Sequence, residues 1–356
     1  MIYLDYQATT PLAPEAREAM LRWLGGPDSD GFGNPHSPHR MGRIAKAAVE
    51  SARDQVAALM PPGGRVIFTS GATEAINLAI RGTARSGAVA ASAIEHAAVL
   101  DTARSVGCVH ELRVDSDGIC HPDQQWPDDT RMFAIMQVNN EIGTVQPLDI
   151  WAAFAARDRL PLLVDAVQAF GKVPVEHGDL IAISAHKFHG PKGVGALWVR
   201  DGVDLAEVQT GGGQEHGLRS GTVSPALVAG MGAAAALCSE RMAADRSHVE
   251  ALWDRAGALF ADWELNGSAS TRWFGNLNIR KEGLDVARLM SDCRDVMFSA
   301  GSACASGSGR PSHVLKAIGL SDAQAKGSIR LGFGRYTTMA EIEEAASIIN
   351  AGADAQ

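Results

Sequence analysis

The chain has 356 residues, of which 46% are hydrophobic and 21% are charged, and its formal net charge is -9. This length and hydrophobic content allow a large core and two domains. The acidic balance argues against nucleic acid as a partner, because phosphate binding needs a basic face.

The N-terminus and the cysteines indicate a protein of a reducing compartment. The first residues, M-I-Y-L-D-Y, lack a signal segment, and the apolar run 228–238 is far below the roughly 20 residues that a membrane span needs. The cysteines are scattered without a C-x-x-C pair: Cys108, Cys120, Cys238, Cys293 and Cys304. We therefore expect reduced thiols, a cytoplasmic location, no membrane contact and no intrinsic metal site.

Apolar strand-like runs alternate with helix-like segments along the chain. The patterns predict strands at 65–70, 132–139, 160–166, 179–184 and 195–200, and helices at 72–81, 151–157 and 314–320. Continuous apolar strands between helices are typical of an α/β fold with a mostly parallel sheet. Ligands of such sheets bind where the strands end, so the residues that follow each strand are the candidates for a site.

Three of these strand ends carry polar residues. The turn T-S-G-A-T-E (69–74) leads into a helix, where free N–H groups could bind a phosphate or simply form an N-cap. Asp165 ends the strand at 160–166 and could cap a helix or face a cation. Lys187 follows the strand at 179–184. The glycine-rich stretches 190–195 and 211–217 do not fit a nucleotide fingerprint.

One cofactor uses all three kinds of group together. Pyridoxal phosphate (PLP) needs a lysine for a Schiff base, an acid beside its pyridinium nitrogen and an anion cradle for its phosphate. Lys187, Asp165 and the 69–74 turn would supply them. The sequence therefore predicts a PLP site.

Motifs along nearly the whole chain are those of one enzyme family. In order they are Y-L-D-Y-Q-A-T-T-P (3–11), F-G-N-P-H-S (32–37), F-T-S-G-A-T-E-A-I-N-L-A (68–79), E-H-A-A-V-L (95–100), V-N-N-E-I-G (138–143), V-D-A-V-Q (164–168), S-A-H-K-F-H-G-P-K-G-V-G-A-L (184–197), G-G-G-Q-E-H-G-L-R-S-G-T (211–222), S-A-G-S-A-C (299–304) and S-I-R-L-G-F-G-R (328–335). With them the chain resembles the NifS/IscS-like cysteine desulfurases, PLP enzymes of fold type I in the class V aminotransferase-like group.

The resemblance implies a PLP-dependent transferase fold of type I in the α/β class. A large domain at 14–243 would hold the cofactor on a mostly parallel sheet flanked by helices. A smaller α+β domain would combine 1–13 with 244–356 and carry a mobile loop, about 299–312, with Cys304.

The resemblance also implies roles for matching residues. Lys187 would form the Schiff base, Asp165 would pair with the ring nitrogen and His96 would stack on the ring and assist proton transfer. Further contacts to the cofactor would come from Ala72, Thr73, Asn140, Gln168, Ser184 and His186, with Gln168 at the ring hydroxyl and Thr73, Ser184 and His186 at the phosphate. Thr222 would reach the phosphate of the other subunit's cofactor, which implies a homodimer with shared sites. Arg330 would clamp the substrate carboxylate, with Asn140 and Asn34 nearby.

The implied reaction moves sulfur from L-cysteine to Cys304 and releases L-alanine. Lys187 would remove the α-proton, and the Cys304 thiolate would attack the substrate sulfur to form a persulfide. The other four cysteines would be structural or incidental. The length of 306–313 resembles the long-loop members that serve iron–sulfur assembly, where Cys304 would approach a nascent cluster on a partner.

The sulfur acceptor stays open, either an iron–sulfur scaffold or another acceptor protein. The chain stops at I-I-N-A-G-A-D-A-Q, whereas the housekeeping desulfurase carries a longer tail that helps to dock its scaffold, and 123–130 is compressed relative to that family. Alternatives on the same fold are selenocysteine lyase, a cysteine sulfinate-type lyase or an aminotransferase. A catalytically idle assembly scaffold is an alternative of a different class.

Overall fold

The computed structural model describes residues 1–301 and 311–356, so Cys304 lies outside the described residues. The strands are β1 (Ile2–Tyr3), β2 (Gly64–Thr69), β3 (Ala88–Ser92), β4 (Cys108–Leu112), β5 (Thr130–Ala134), β6 (Leu162–Asp165), β7 (Leu180–Ser184), β8 (Gly195–Arg200), β9 (Glu264–Leu265), β10 (Asn276–Arg280), β11 (Val296–Met297), β12 (Ser299–Ala300) and β13 (Ser328–Gly332). The helices are α1 (Pro14–Leu21), α2 (Arg40–Ala57), α3 (Ala72–Thr83), α4 (Ala97–Val106), α5 (Leu148–Asp158), α6 (Pro225–Leu259), α7 (Val286–Asp292), α8 (His313–Ala317), α9 (Asp322–Lys326) and α10 (Met339–Asp354), with short 3-10 turns at Ala185–Lys187 and Glu215–Gly217.

A seven-stranded sheet is the centre of the fold, in the order β2-β8-β7-β6-β5-β3-β4. Strand β8 runs antiparallel to both of its neighbours, and the other pairings are parallel. The predicted α/β class with a mostly parallel sheet is therefore confirmed. Because every strand but β8 points the same way, their carboxyl ends meet at one edge.

Helices cover both faces of this sheet. Val66 and Phe68 of β2 pack in one core with α2 and α6, whereas Ile67 packs in a second core with α3 and α4. Successive residues of a strand face opposite sides, so a strand buried on both faces reads as a continuous apolar run. This explains the uninterrupted apolar runs in the sequence.

The predicted strand at 132–139 is wrong in its extent, since β5 ends at Ala134. The amides of Ile135 and Gln137 still donate to β6 carbonyls, but the Met136 amide donates to the carboxylate of Glu95 at 2.6 Å. The buried Glu95 side chain thus takes the place of the next backbone hydrogen bond between β5 and β3. The helix predicted at 314–320 is also shorter, as α8 ends at Ala317 and Gly319 has a φ of +92°.

A second, antiparallel sheet has the order β12-β13-β10-β9, and β1 pairs in parallel with β11. All these strands lie within the two stretches predicted for a smaller domain, whose boundaries stay a prediction. A bridge between Asp5 and Gly332 joins the N-terminal segment to this second sheet. Within residues 1–301 and 311–356, no helix has both the length and the apolar character for crossing a membrane.

Candidate active site

A cavity of about 560 Å³ lies at the carboxyl edge of the large sheet. It gathers most of the residues predicted for the site: Ala72, Thr73, His96, Asn140, Asp165, Gln168, Ser184, His186, Lys187 and Arg330. Most follow β2, β6 or β7 directly, so the direction of the parallel strands brings them together. Arg330 instead comes from β13 of the second sheet.

The N-terminus of α3 forms one wall of the cavity and is suited to an anion. Gly71 is the N-cap residue of the helix, and within residues 1–301 and 311–356 no side-chain cap is present. A Cβ on Gly195 would lie 2.7 Å from the Gly71 backbone, so the glycine at the start of β8 allows this close approach. Uncapped N–H groups and the helix dipole favour a phosphate here.

A carboxylate in the first turn of α3 is neutralised by a partner. Glu74 lies in an ion pair with Arg219 at 2.6 Å and accepts the Ser70 amide at 2.7 Å. Burial opposes its charge, but these two donors outweigh it and lower the pKa of Glu74. The acid therefore stays ionised while its charge is balanced, which leaves the helix end favourable to an anion.

His186 supplies a neutral ring beside this helix end. Its Nδ1 lies 3.1 Å from the Thr9 hydroxyl oxygen. Burial, then the charges of Lys187 and Lys192, lowers the pKa of His186 to about 4. A neutral imidazole keeps one N–H to donate to a phosphate oxygen.

Asp165 is buried at the end of β6. Its Oδ1 accepts the Val167 amide at 3.0 Å. Burial raises the pKa of Asp165, against the opposing effect of His96 and Lys187. The pKa of the nearby Glu95, which is fully buried, is raised well above its ordinary value by burial and by Asp165. A cationic ring nitrogen at this point would stabilise the ionised form of this buried acid.

His96 is held in a fixed orientation as the N-cap of α4. Its Nδ1 accepts the Ala98 amide at 3.0 Å. Since Nδ1 is an acceptor, the proton of the neutral ring is on Nε2. His96 therefore presents an N–H group from a rigid helix end.

Lys187 and Gln168 both contact the N-terminal segment. The Lys187 ammonium donates to the carbonyl of Ala8 at 2.9 Å and to that of Gln7. The Gln168 amide nitrogen donates to the Gln7 carbonyl at 2.9 Å, and its oxygen accepts Lys172 Nζ at 3.0 Å. Residues 7 and 8 thus line the cavity, although the sequence analysis assigned them no role.

Arg330 is fully buried, and neighbouring polar groups hold its guanidinium in place. Its Nη1 donates to the Asn140 carbonyl at 3.0 Å, and its Nη2 pairs with Asp5 at 2.8 Å and lies 3.4 Å from the Ser299 hydroxyl. Its Nε has no partner among the described residues. The guanidinium is therefore fixed in direction and retains donor capacity at the cavity.

Two of the predicted residues that the structure describes do not line this cavity. Asn34 is exposed and its side chain accepts the His36 amide at 2.9 Å, and Thr222 is exposed on the loop before α6. Their roles toward substrate and toward a second subunit stay predictions, as does that of Cys304, which lies outside the described residues.

Several cavity residues have no role that the sequence predicted. Ser70, Glu74, Lys192 and Gly193 line it beside the assigned ones. All four stand inside motifs that were quoted, T-S-G-A-T-E and G-P-K-G, so their position next to assigned residues was the available signal. For Glu95, the sequence gives no indication of a buried role other than its position directly before His96.

Comparison with known proteins agrees with this geometry. The family model Aminotransferase class-V matches residues 2–344. The cysteine desulfurase IscS of Colwellia psychrerythraea is 41% identical over 372 residues, which cover 98% of this chain and 91% of the relative. A solved NifS-like protein superposes with a TM-score of 0.89 at 30% identity, covering 98% of each chain. SspA, solved in complex with cysteine, has a TM-score of 0.82 at 33% identity and covers 95% of this chain and 100% of SspA. The chain belongs to the class-V aminotransferase family and, within it, to the cysteine desulfurases.

Proposed function

We propose that the cavity binds PLP and L-cysteine, and that sulfur passes to Cys304 as a persulfide while L-alanine leaves. One observation carries this proposal. A single cavity holds an uncapped helix N-terminus, a buried carboxylate, a lysine and a buried arginine, which are Thr73, Asp165, Lys187 and Arg330. The family to which the chain belongs uses these groups for PLP and an amino acid substrate.

The donor set fits PLP at each end. The α3 N-terminus, Ser184 and His186 would hold the phosphate, since they present N–H and O–H donors to one part of the cavity. Asp165, a buried carboxyl at the end of β6, would hold the ring nitrogen in its protonated form. Lys187 would attach the cofactor. When bound, PLP supplies an electron sink for the charge that develops at the substrate α-carbon.

The chain's own residues bind the substrate and move protons. Arg330 would pair with the substrate carboxylate through donors that its contacts to Asp5 and Asn140 leave available. Lys187 is placed to exchange a proton at the α-carbon, and the His96 Nε2–H is placed to donate one.

The sulfur transfer is balanced without an added oxidant. The Cys304 thiolate attacks the substrate sulfur, so an S–S bond forms as the C–S bond breaks. The electron pair of the C–S bond, with a proton, completes the methyl group of L-alanine. Burial raises the thiol pKa of Cys120 to about 12 and also raises that of Cys238. These two thiols are therefore poor sources of the thiolate that the sulfur transfer needs.

The oligomeric state, the compartment and the sulfur acceptor are part of the same proposal. A homodimer is supported by the exposed position of Thr222, from which it could reach a second subunit. The sparse cysteines suit the cytoplasm, where thiols stay reduced. Sulfur delivery to an iron–sulfur scaffold is supported by the IscS relatives, while the acceptor itself is to be found by experiment.

The test is a single-turnover reaction of the PLP-loaded protein with L-cysteine. We expect one L-alanine per site and a persulfide on Cys304, found by alkylation and mass spectrometry. Cys304→Ala should abolish the persulfide and keep the cofactor spectrum, whereas the control Cys108→Ala, at an exposed cysteine outside the cavity lining, should behave as wild type. A Cys304→Ala protein that makes L-alanine at the wild-type rate would contradict the assignment, and a faster reaction with L-selenocysteine than with L-cysteine would favour a lyase.

A further inference from the structure

Glu141 is a buried acid that has no role in the chemistry above. Its side chain lies in the V-N-N-E-I-G turn and is 2% exposed. Asn139 fixes this turn, because its Oδ1 accepts the amides of Glu141 at 2.8 Å and Ile142 at 2.9 Å. A buried carboxyl needs a defined partner, so the groups that Glu141 contacts indicate its purpose.

The carboxylate holds the chain just after residues 302–310. The Ser312 hydroxyl donates to Glu141 Oε2 at 2.5 Å and accepts the Leu315 amide at 3.1 Å. Ser312 is 3% exposed and is the N-cap of α8. One hydroxyl thus starts the helix and ties it to Glu141.

The backbone of Glu141 is tied to the chain just before the same residues. The Asn278 amide nitrogen lies 3.0 Å from the Glu141 carbonyl oxygen and 3.3 Å from the Gly301 carbonyl oxygen, and donates to both. The Gly301 amide donates to the Ser328 carbonyl at 2.7 Å. A Cβ on Gly301 would lie 3.1 Å from a Leu315 methyl, so the two ends are also in close contact with each other.

The same turn reaches the proposed substrate site. The carbonyl of Asn140 accepts Nη1 of Arg330, which is the proposed carboxylate clamp. Two neighbouring residues therefore connect the clamp to both ends of the segment that contains Cys304. We propose that Glu141 is a positioning residue whose carboxylate fixes the chain just after residues 302–310, at Ser312, relative to Arg330, and so sets the encounter of Cys304 with the substrate sulfur. This inference rests on the proposed function.

The experiment compares Glu141→Ala, Glu141→Gln and Ser312→Ala in the PLP-loaded protein. Ser321→Ala is the matched control, because Ser321 caps the equally short helix α9 without contacting Glu141. In single turnovers we expect Glu141→Ala and Ser312→Ala to form the Cys304 persulfide about tenfold more slowly, since small misplacements of reacting groups are costly. The cofactor spectrum and the affinity for L-cysteine should stay as in wild type. Glu141→Gln should form persulfide within about threefold of wild type, because its amide oxygen can accept the Ser312 hydroxyl.

A second readout does not depend on activity. Hydrogen exchange should be faster in Glu141→Ala in peptides that begin at Pro311, because the carboxylate that accepts the Ser312 hydroxyl is lost. It should be unchanged in peptides that finish at Gly301, because Asn278 still bridges the backbone carbonyls of residue 141 and Gly301. Ser321→Ala should change neither end. A wild-type persulfide rate in both Glu141→Ala and Ser312→Ala, or an equal loss in Ser321→Ala, would overturn the inference. If wild type forms no persulfide, the proposed function fails, and the exchange measurement alone decides whether the Glu141 carboxylate holds the chain at Ser312.

Discussion

Glu215 offers a prediction whose magnitude follows from its contacts. The carboxylate accepts two Arg53 N–H groups at 2.7 and 2.9 Å and the Phe68 amide at 2.7 Å. The two side chains of the ion pair are only 2% and 11% exposed. Glu215 and His216 both have positive φ, of 45° and 61°, so this pair holds an unfavourable backbone in place.

Glu215→Gln would remove the buried counter-charge of the Arg53 guanidinium and leave only the half-exposed Glu50 as its ion-pair partner. Loss of one partner of a buried pair costs about 3–5 kcal/mol. Arg53 also donates to the Val66 carbonyl at 2.8 Å and to the exposed Glu50, so we expect a loss near the lower limit, about 3 kcal/mol. For a chain of this size unfolding as one unit, the average entropy per residue converts this loss to a drop of about 4 °C in Tm.

Thermal unfolding of the cofactor-free protein measures this drop by circular dichroism and calorimetry. The control is Asp204→Asn, because the Arg85–Asp204 pair is 55% and 86% exposed. An exposed pair contributes about 1 kcal/mol or less, so Tm should fall by roughly 1 °C at most. If Glu215→Gln lowers Tm no more than Asp204→Asn does, the reasoning from burial is refuted.

Two further predictions concern Lys172 and Arg330. Burial and the charge of Lys187 lower the pKa of Lys172 from 10.5 to about 7, so the unfolded chain binds one more proton between these values and stability rises with pH across that window. Lys172→Met removes this group, so the rise in Tm of the cofactor-free protein from pH 7 to pH 10 should be smaller than in wild type. Equal rises in the two proteins would contradict the lowered pKa of Lys172. Arg330→Lys keeps the positive charge but loses the planar guanidinium fork that can pair with a carboxylate. Steady-state kinetics should therefore show a KM for L-cysteine that is about tenfold higher or more, with a smaller change in kcat. An unchanged KM would show that Arg330 does not bind the substrate carboxylate.

The local pattern of the chain predicted much of the large sheet and its site. Continuous apolar runs such as 179–184 and 195–200 gave the buried strands, because a strand covered on both faces has no polar positions. Asp165 and Lys187 were predicted to meet because parallel strands end at one edge. Both lie in the same cavity. The roles of His96, Gln168 and Arg330 came from the family resemblance, since their local surroundings carry no comparable signal.

The tertiary structure alone decided the contacts between distant parts of the chain. Arg330 donates to the carbonyl of Asn140 and pairs with Asp5, and the Glu95 carboxylate takes the place of a strand at Met136. The antiparallel direction of β8 within the large sheet is likewise seen only in the tertiary structure. Composition and periodicity report which face of an element is buried, and so they determined the elements and the edge where the site forms. Composition and periodicity do not indicate which distant donor bonds to which acceptor, because these pairings form only when the packed elements satisfy their buried polar groups.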